Sequence, residues 1–234
     1  MSREISHKGV TGDSYAGIPI HCERGVHEFV FAKLRDELAL DSKILELGAG
    51  SGAMTQRLLD HGFANVDAVD VSAQGWSVPS VSLNIVNLNS TNWVDKLNAS
   101  VDAILAVEII EHLENPSTFL KQCTAALRPN GDMFLTTPNL VSIATTMYAI
   151  RKGEHLYFQR DAFYSTGHRS PILPATLLGI AEESNLEVIE VTTCGHMRGL
   201  SSLERRAISV ARRLRNREVR HLDGPILYAH LKRK

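Results

Sequence analysis

The segment Val107-Glu108-Ile109-Ile110-Glu111-His112-Leu113 places two carboxylates and an imidazole at positions i, i+3 and i+4. On a turn of helix those side chains share one face. Carboxylate oxygen and imidazole nitrogen together suit Mg²⁺, Mn²⁺, Fe²⁺ or Zn²⁺, and the same groups can take a proton with no metal. Glu108, Glu111 and His112 are therefore the candidate catalytic residues. Plainer roles stay open beside that one: His112 packed under a loop, and Glu108 accepting from a backbone amide.

A second set of residues suits binding. Lys43-Ile44-Leu45-Glu46-Leu47-Gly48-Ala49-Gly50-Ser51-Gly52 reads as a buried strand running into a glycine turn, then a helix from Ala53. Glycines here open backbone angles closed to other residues and let a ligand lie close. A phosphate loop needs Lys and then Ser or Thr after the last glycine, and Ala53-Met54 stands there instead. The G-x-G-x-G spacing also departs from the G-x-G-x-x-G of the dinucleotide turn. Asp70 ends the next strand, near the spacing at which an acid meets a ribose, and a carboxylate can accept from both vicinal hydroxyls. The pattern predicts a nucleoside-containing cofactor over the carboxyl end of a parallel sheet.

The elements that must position these residues alternate. A helix is predicted over Glu23–Leu40, from the spacing of Val26, Phe29, Val30, Leu34 and Leu38. Strands are predicted at Lys43–Leu47, Val66–Val71, Val81–Val86, Val101–Val107 and Asp132–Thr136, with helices over Ala53–His61 and Asn115–Leu127 between them. Arg128-Pro129-Asn130-Gly131 reads as a tight turn. Such alternation calls for a parallel sheet covered by helices. Beyond Asn139 it loosens: a helix over Leu140–Arg151, a long irregular stretch over Lys152–Pro174, a helix over Ala175–Ser184, a strand at Leu186–Thr193, a basic helix over Leu200–His221 and a last strand at Pro225–Leu231. Residues 1–22 show no periodicity and read either as a flap over the cofactor or as disorder.

Glu46-x-Gly48-x-Gly50-x-Gly52, followed by Asp70 and Asn87-Leu88-Asn89, resembles the motif series of class I S-adenosylmethionine-dependent methyltransferases over roughly residues 23–139. The resemblance implies a Rossmann-like three-layer α/β sandwich on a seven-stranded, mostly parallel sheet with its last strand antiparallel. It implies S-adenosylmethionine as cofactor, bound by Glu46, Gly48, Ala49, Gly50, Gly52, Asp70, Val71, Asn87, Leu88 and Glu108. The family often carries an acid where Asn87 stands, accepting from the adenine amine. An amide oxygen accepts the same bond without charge, which predicts a weaker hold on adenine. Glu108-x-x-Glu111-His112-Leu113 and Thr137-Pro138-Asn139 resemble the ubiquinone-pathway-like O-methyltransferases. The Glu-x-x-Glu-His element is also shared with terminal 2′-O-methyltransferases of small RNAs, where it holds a divalent cation with a downstream histidine. Carried over, this gives the metal set Glu108, Glu111, His112 and His168, and makes oxygen the expected acceptor atom.

Whole-chain properties bound the rest. At 234 residues the chain fits one domain: 23–139 as cofactor core, 140–174 as a lid over a small-molecule or glycan- or lipid-intermediate acceptor, and 175–234 completing the sheet. A net charge of −1 gives no global pull toward nucleic acid or membrane. Three cysteines without C-x-x-C spacing suit reduced thiols. The lack of a signal-peptide core or a long apolar run predicts a cytoplasmic protein. Tyr148, Tyr157, Phe158 and Tyr164 are candidates to line the acceptor pocket. Eight arginines between Arg198 and Arg220 read as a solvated helix face or as a surface for phosphate: a phosphate-bearing acceptor, an anionic membrane or RNA. Two other functions stay open, an RNA 2′-O-methyltransferase and a non-catalytic cofactor-binding module; the oligomeric state is not fixed by the sequence.

Overall fold

The computed structural model describes residues 13–97, 99–196, 202–214, 216 and 222–234. The first twelve residues of the expected flap, and residues 200, 201, 215 and 217–221 of the expected basic helix, lie outside that range. Residues 13–22 form a hairpin, β1 (Ser14–Tyr15) against β2 (Ile18–Pro19). Its central residues Ala16 and Gly17 have φ of 50° and 81°, the positive pair that a two-residue hairpin turn requires. Ile18, Ile20 and Cys22 are buried, so this segment is anchored by apolar contact.

Then follow α1 (Val26–Glu37), β3 (Ile44–Leu47), α2 (Ala53–Asp60), β4 (Val66–Asp70), β5 (Leu83–Ile85), α3 (Trp93–Leu97) and β6 (Val101–Val107). A 3-10 turn at Ile110–His112 leads to α4 (Pro116–Ala126), β7 (Leu127–Pro138), α5 (Ile143–Lys152), α6 (Arg160–Ser165), α7 (Pro174–Glu183), β8 (Leu186–Cys194), α8 (Ser202–Leu214) and β9 (Ile226–Arg233). The sheet runs β5-β4-β3-β6-β7-β9-β8, seven strands, with β9 antiparallel to both neighbours and the other pairings parallel.

Side chains alternate faces along each strand. Leu45, Ile104, Ala106, Met133 and Leu135 join one apolar cluster with Trp93, Phe119, Leu120 and Leu177 of the α3–α4–α7 layer. Ile44, Ala103, Leu105 and Phe134 join the other, with Val30 and Leu34 of α1 and Met54 and Leu58 of α2. Both faces are therefore covered, and the polar groups of the site must emerge at the carboxyl edge.

Two local expectations need correcting. Arg128–Gly131 is not a turn between separate elements. Leu127 already pairs with Val101, the register shifts before Ala103, and the intervening residues bulge out of a continuous β7. Asn130 absorbs the bulge at φ 63°, a conformation asparagine tolerates. Gly131 lies where a Cβ would be 2.9 Å from the Arg128 carbonyl and 3.0 Å from that of Asp102. The stretch 152–174 also holds α6, a helix too short for periodicity to signal.

Candidate functional site

At the glycine turn the geometry is set by backbone. The amides of Gly48 and Ala49 donate to the Val69 carbonyl at 2.9 and 3.0 Å, extending the β3–β4 pairing into the loop. Gly50 N donates to Asp70 Oδ2 at 2.9 Å, and Ser72 N to Asp70 Oδ1 at 3.1 Å. Asp70 is thus fixed at the end of β4 with lone pairs to spare on both oxygens. Gly52 caps α2 at φ 92°, and a Cβ there would lie 2.5 Å from Val78 Cγ2.

Glu46 points to the α2 side and is buried, accepting from Thr55 Oγ1 at 2.5 Å. Burial raises its pKa to about 7, with the Thr55 bond opposing and nearby Asp70 adding to the rise. His21 arrives from the segment after β2. Its Nε2 is 2.8 Å from Ser51 Oγ, and its Cδ2 lies 3.4 Å from where a Gly50 Cβ would sit. The flap reading of residues 1–22 allows a cover here, but no pattern in that segment singles out His21. Val71 and Asn87 are exposed and Leu88 is buried; Asn87 Oδ1 accepts from Asn89 N at 2.9 Å.

The acidic segment after β6 divides. Only Ile110–His112 is helical, and Glu108 precedes it at φ 50°. A non-glycine residue held there costs about 1–3 kcal/mol. Its amide donates to Thr136 O and Oγ1 at 3.2 and 3.0 Å, which holds the conformation. The Glu108 side chain runs to the start of α1, where Oε2 accepts from Glu23 N at 3.2 Å. Its Oε1 is buried without a hydrogen-bond partner, and burial raises its pKa to about 7.

Glu111, His112 and His168 come together instead, one ligand atom from each lying within 4.8 Å of the others. Among the described residues Glu108 is outside that group, although its charge helps raise Glu111. Glu111 is fully buried. Its Oε2 accepts from Thr137 Oγ1 at 3.1 Å, while Oε1 has no partner. Burial first, and repulsion from Glu108 second, hold its carboxyl well above the usual range. His168 Nδ1 lies 2.8 Å from the Tyr157 carbonyl, which can only accept. The proton therefore sits on Nδ1 and the Nε2 lone pair is free to bind. Burial lowers its pKa, favouring the neutral ring. The rings of His112 and His168 meet edge to face at 4.8 Å.

The supports of this trio come from far along the chain. The Glu111 carbonyl accepts from the amides of Arg169 and Ser170 at 2.8 and 2.9 Å. Thr137 holds the carboxylate, and Asn139 ties the end of β7 to the carbonyls of Leu222 and Gly224 at 2.9 and 2.7 Å. These roles of Thr137 and Asn139 show in the sequence only as part of a motif resemblance. Beside the trio, Phe158, Phe163, Tyr164, Arg160 and His168 line a cavity of about 350 Å³. Tyr157 instead packs toward the α1 core, and Tyr148 meets Gln159.

A profile of the methyltransferase domain family matches residues 22–191. The ubiquinone biosynthesis O-methyltransferase of Colwellia psychrerythraea is 27% identical over 160 residues, covering 65% of this chain and 63% of that protein. A SAM-dependent methyltransferase from Archaeoglobus fulgidus superposes with a TM-score of 0.57 at 18% identity, covering 89% of this chain and 94% of that one. The N-methyltransferase NodS from Bradyrhizobium japonicum WM9, in complex with S-adenosyl-L-homocysteine, gives 0.54 at 18% identity, with 88% and 85% covered.

Proposed function

The chain belongs to the methyltransferase domain family, and on that premise we propose that it methylates a hydroxyl of a small-molecule acceptor using S-adenosylmethionine. The observation that carries the choice of oxygen is the convergence of Glu111, His112 and His168 within 4.8 Å at the carboxyl edge of β6. A hydroxyl must lose its proton as it is methylated, and side chains of this group are able to receive it. Neutral His168 offers a free Nε2, and Glu111, raised by burial, is a stronger base when ionised than an ordinary carboxylate.

The residues fit the cofactor. Bound S-adenosylmethionine supplies an electrophilic methyl on its sulfonium. Asp70 has acceptor capacity for vicinal ribose hydroxyls, and the buried, unpartnered Glu108 Oε1 suits an ammonium group. The glycine turn keeps side chains out of the path, and His21 closes over it. The trio also fits a divalent cation: Glu111 Oε1 lacks a partner, and His168 is oriented through its second nitrogen, as metal-bound imidazoles are. Glu111, His112 and His168 would hold it, and its chemistry there would be to lower the pKa of the acceptor hydroxyl. The aromatic cavity beside His168 has room for a ring-sized acceptor.

The test is methyl transfer to a panel of small phenols, read as S-adenosylhomocysteine formed. Glu111→Gln and His168→Ala should each lower kcat by roughly 10²–10⁴, the usual yield of general acid–base catalysis, while S-adenosylmethionine affinity stays within about twofold. Full turnover in both variants, or methylation of nitrogen or carbon alone, overturns the assignment.

A further inference from the structure

The cavity beside His168 is walled by aromatic rings, yet it also carries charge. The ring centres of Phe158 and His168 are 5.5 Å apart, and Phe163 meets Tyr164 edge to face at 5.2 Å. Phe163 is 45% and Tyr164 66% exposed, so both rings keep surface that a planar ligand would cover. Two arginines share the lining. Arg169 is engaged: its Nη1 donates to Glu114 Oε1 at 3.0 Å, and its guanidinium lies 5.6 Å from the Phe163 ring centre. Arg160, the first residue of α6, is not engaged. Among the described residues its side chain has no hydrogen-bond or ion-pair partner. An exposed arginine is ordinary on a surface. This one lines the same cavity as the free Nε2 of His168 and brings an uncompensated positive charge to it.

We infer that this cavity takes a phenol that also bears a carboxylate, and that Arg160 is the residue that selects it. This preference presupposes that the cavity is the acceptor site of the proposed O-methylation. A carboxylate is ionised at neutral pH and matches a guanidinium in charge and in bidentate geometry. The aromatic walls suit the ring, Arg160 the acid group, and His168 the hydroxyl. An acceptor held at its acid end has fewer ways to present its hydroxyl, which favours transfer. An uncharged phenol keeps the ring contacts and leaves Arg160 unpaired, so selection comes from the difference. A phosphate monoester is a poorer match. It carries a charge of about −1.5 to −2 at pH 7, and Glu114 already occupies the neighbouring Arg169. Arg160 is exposed, so its pull is screened in part and weakens as salt is added.

With S-adenosylhomocysteine bound the protein cannot turn over, so calorimetric titration of the full chain in that state reads acceptor binding alone. A dihydroxybenzoate should bind about tenfold or more tightly than its amide, which keeps the ring and hydroxyls and lacks the charge. Arg160→Gln should remove most of that preference while affinity for the amide stays within about twofold. Arg160→Lys keeps the charge without the planar fork and should restore part of the preference. The side chain is exposed, so the circular dichroism spectrum of both variants should match wild type. Equal affinity for acid and amide overturns the assignment, as does failure of the acid to bind. So does a preference that survives in Arg160→Gln, or a dihydroxyphenyl phosphate that binds more tightly than the acid. Methyl transfer to the same acid and amide separates this assignment from the O-methylation reading. Oxygen methylated equally well in both compounds leaves O-methylation standing and removes selection by charge. An Arg160-dependent preference in binding, with no oxygen methylated, removes O-methylation and leaves the carboxylate site standing.

Discussion

The glycine edge and the histidine edge of this sheet are built in opposite ways. Glu46, the three glycines, Thr55 and Asp70 fall within one strand-turn-helix-strand unit, and the bonds from Thr55 to Glu46 and from Gly50 to Asp70 join them to one another. Glu111 depends on Thr137, on the amides of Arg169 and Ser170, and, through His168, on the Tyr157 carbonyl. One edge is a local structure that exists once two strands pair. The other is assembled by a lid that arrives from more distant sequence. A local site is a property of the fold, so damage there should appear as lost stability. An assembled site should lose activity before it loses structure.

Gly52→Ala tests the first half and should give the largest stability effect. A side chain at φ 92° is strained, and its Cβ would meet Val78 Cγ2 at 2.5 Å, so roughly 2–4 kcal/mol of destabilisation is expected. Gly153→Ala is the control: φ is also positive, at 75°, but nothing lies within 4 Å of the added atom. It should cost only about 1 kcal/mol, and urea unfolding of both variants separates packing from backbone strain. Equal losses would mean that the glycine turn is not locked by its neighbours, and the comparison would fail.

The same division explains what the sequence could reveal. The βα alternation, the acid ending β4 and the glycine turn are short-range patterns, and the sheet order follows from them with the family resemblance. The helical spacing of Glu108, Glu111 and His112 suggested a common face because it assumed one continuous turn. Thr136 instead holds Glu108 at φ 50° outside the turn, so its side chain leaves toward α1. The bulge at Asn130 and the cover by His21 are likewise tertiary events. No window of neighbouring residues encodes them.

Glu46 offers a second test, through pH. Its folded pKa of about 7 lies above the unfolded value near 4.5, so the folded state holds the proton longer. Its contribution to stability is intact below pH 4.5 and is lost as pH rises through 7. Glu46→Gln stays neutral throughout. The cofactor-free variant should match wild type near pH 4.5 and exceed it at pH 8 by up to about 3 kcal/mol, measured by urea unfolding at both values. The gain should be bought at the glycine edge alone, with the activity trio unmoved.

The smallest expected effect bears most directly on the assembled edge. Thr137→Val keeps the shape of the side chain and removes the hydroxyl that donates to Glu111 Oε2 at 3.1 Å. That bond favours the ionised carboxylate, so its loss pushes the Glu111 pKa further up from a value burial has already raised. If ionised Glu111 takes part in proton removal, the acidic limb of the pH–rate profile must shift to higher pH. Turnover on that limb then falls at a given pH and recovers in more alkaline buffer, since about one pKa unit is a tenfold change in the ionised fraction. Stability should change by about 1 kcal/mol, because one hydrogen bond is lost and no cavity is made. A uniform loss across all pH values would mean that Thr137 only positions β7 against the 3-10 turn. A shifted limb would tie the base at the end of β6 to a residue 26 positions away, supplied by the neighbouring strand.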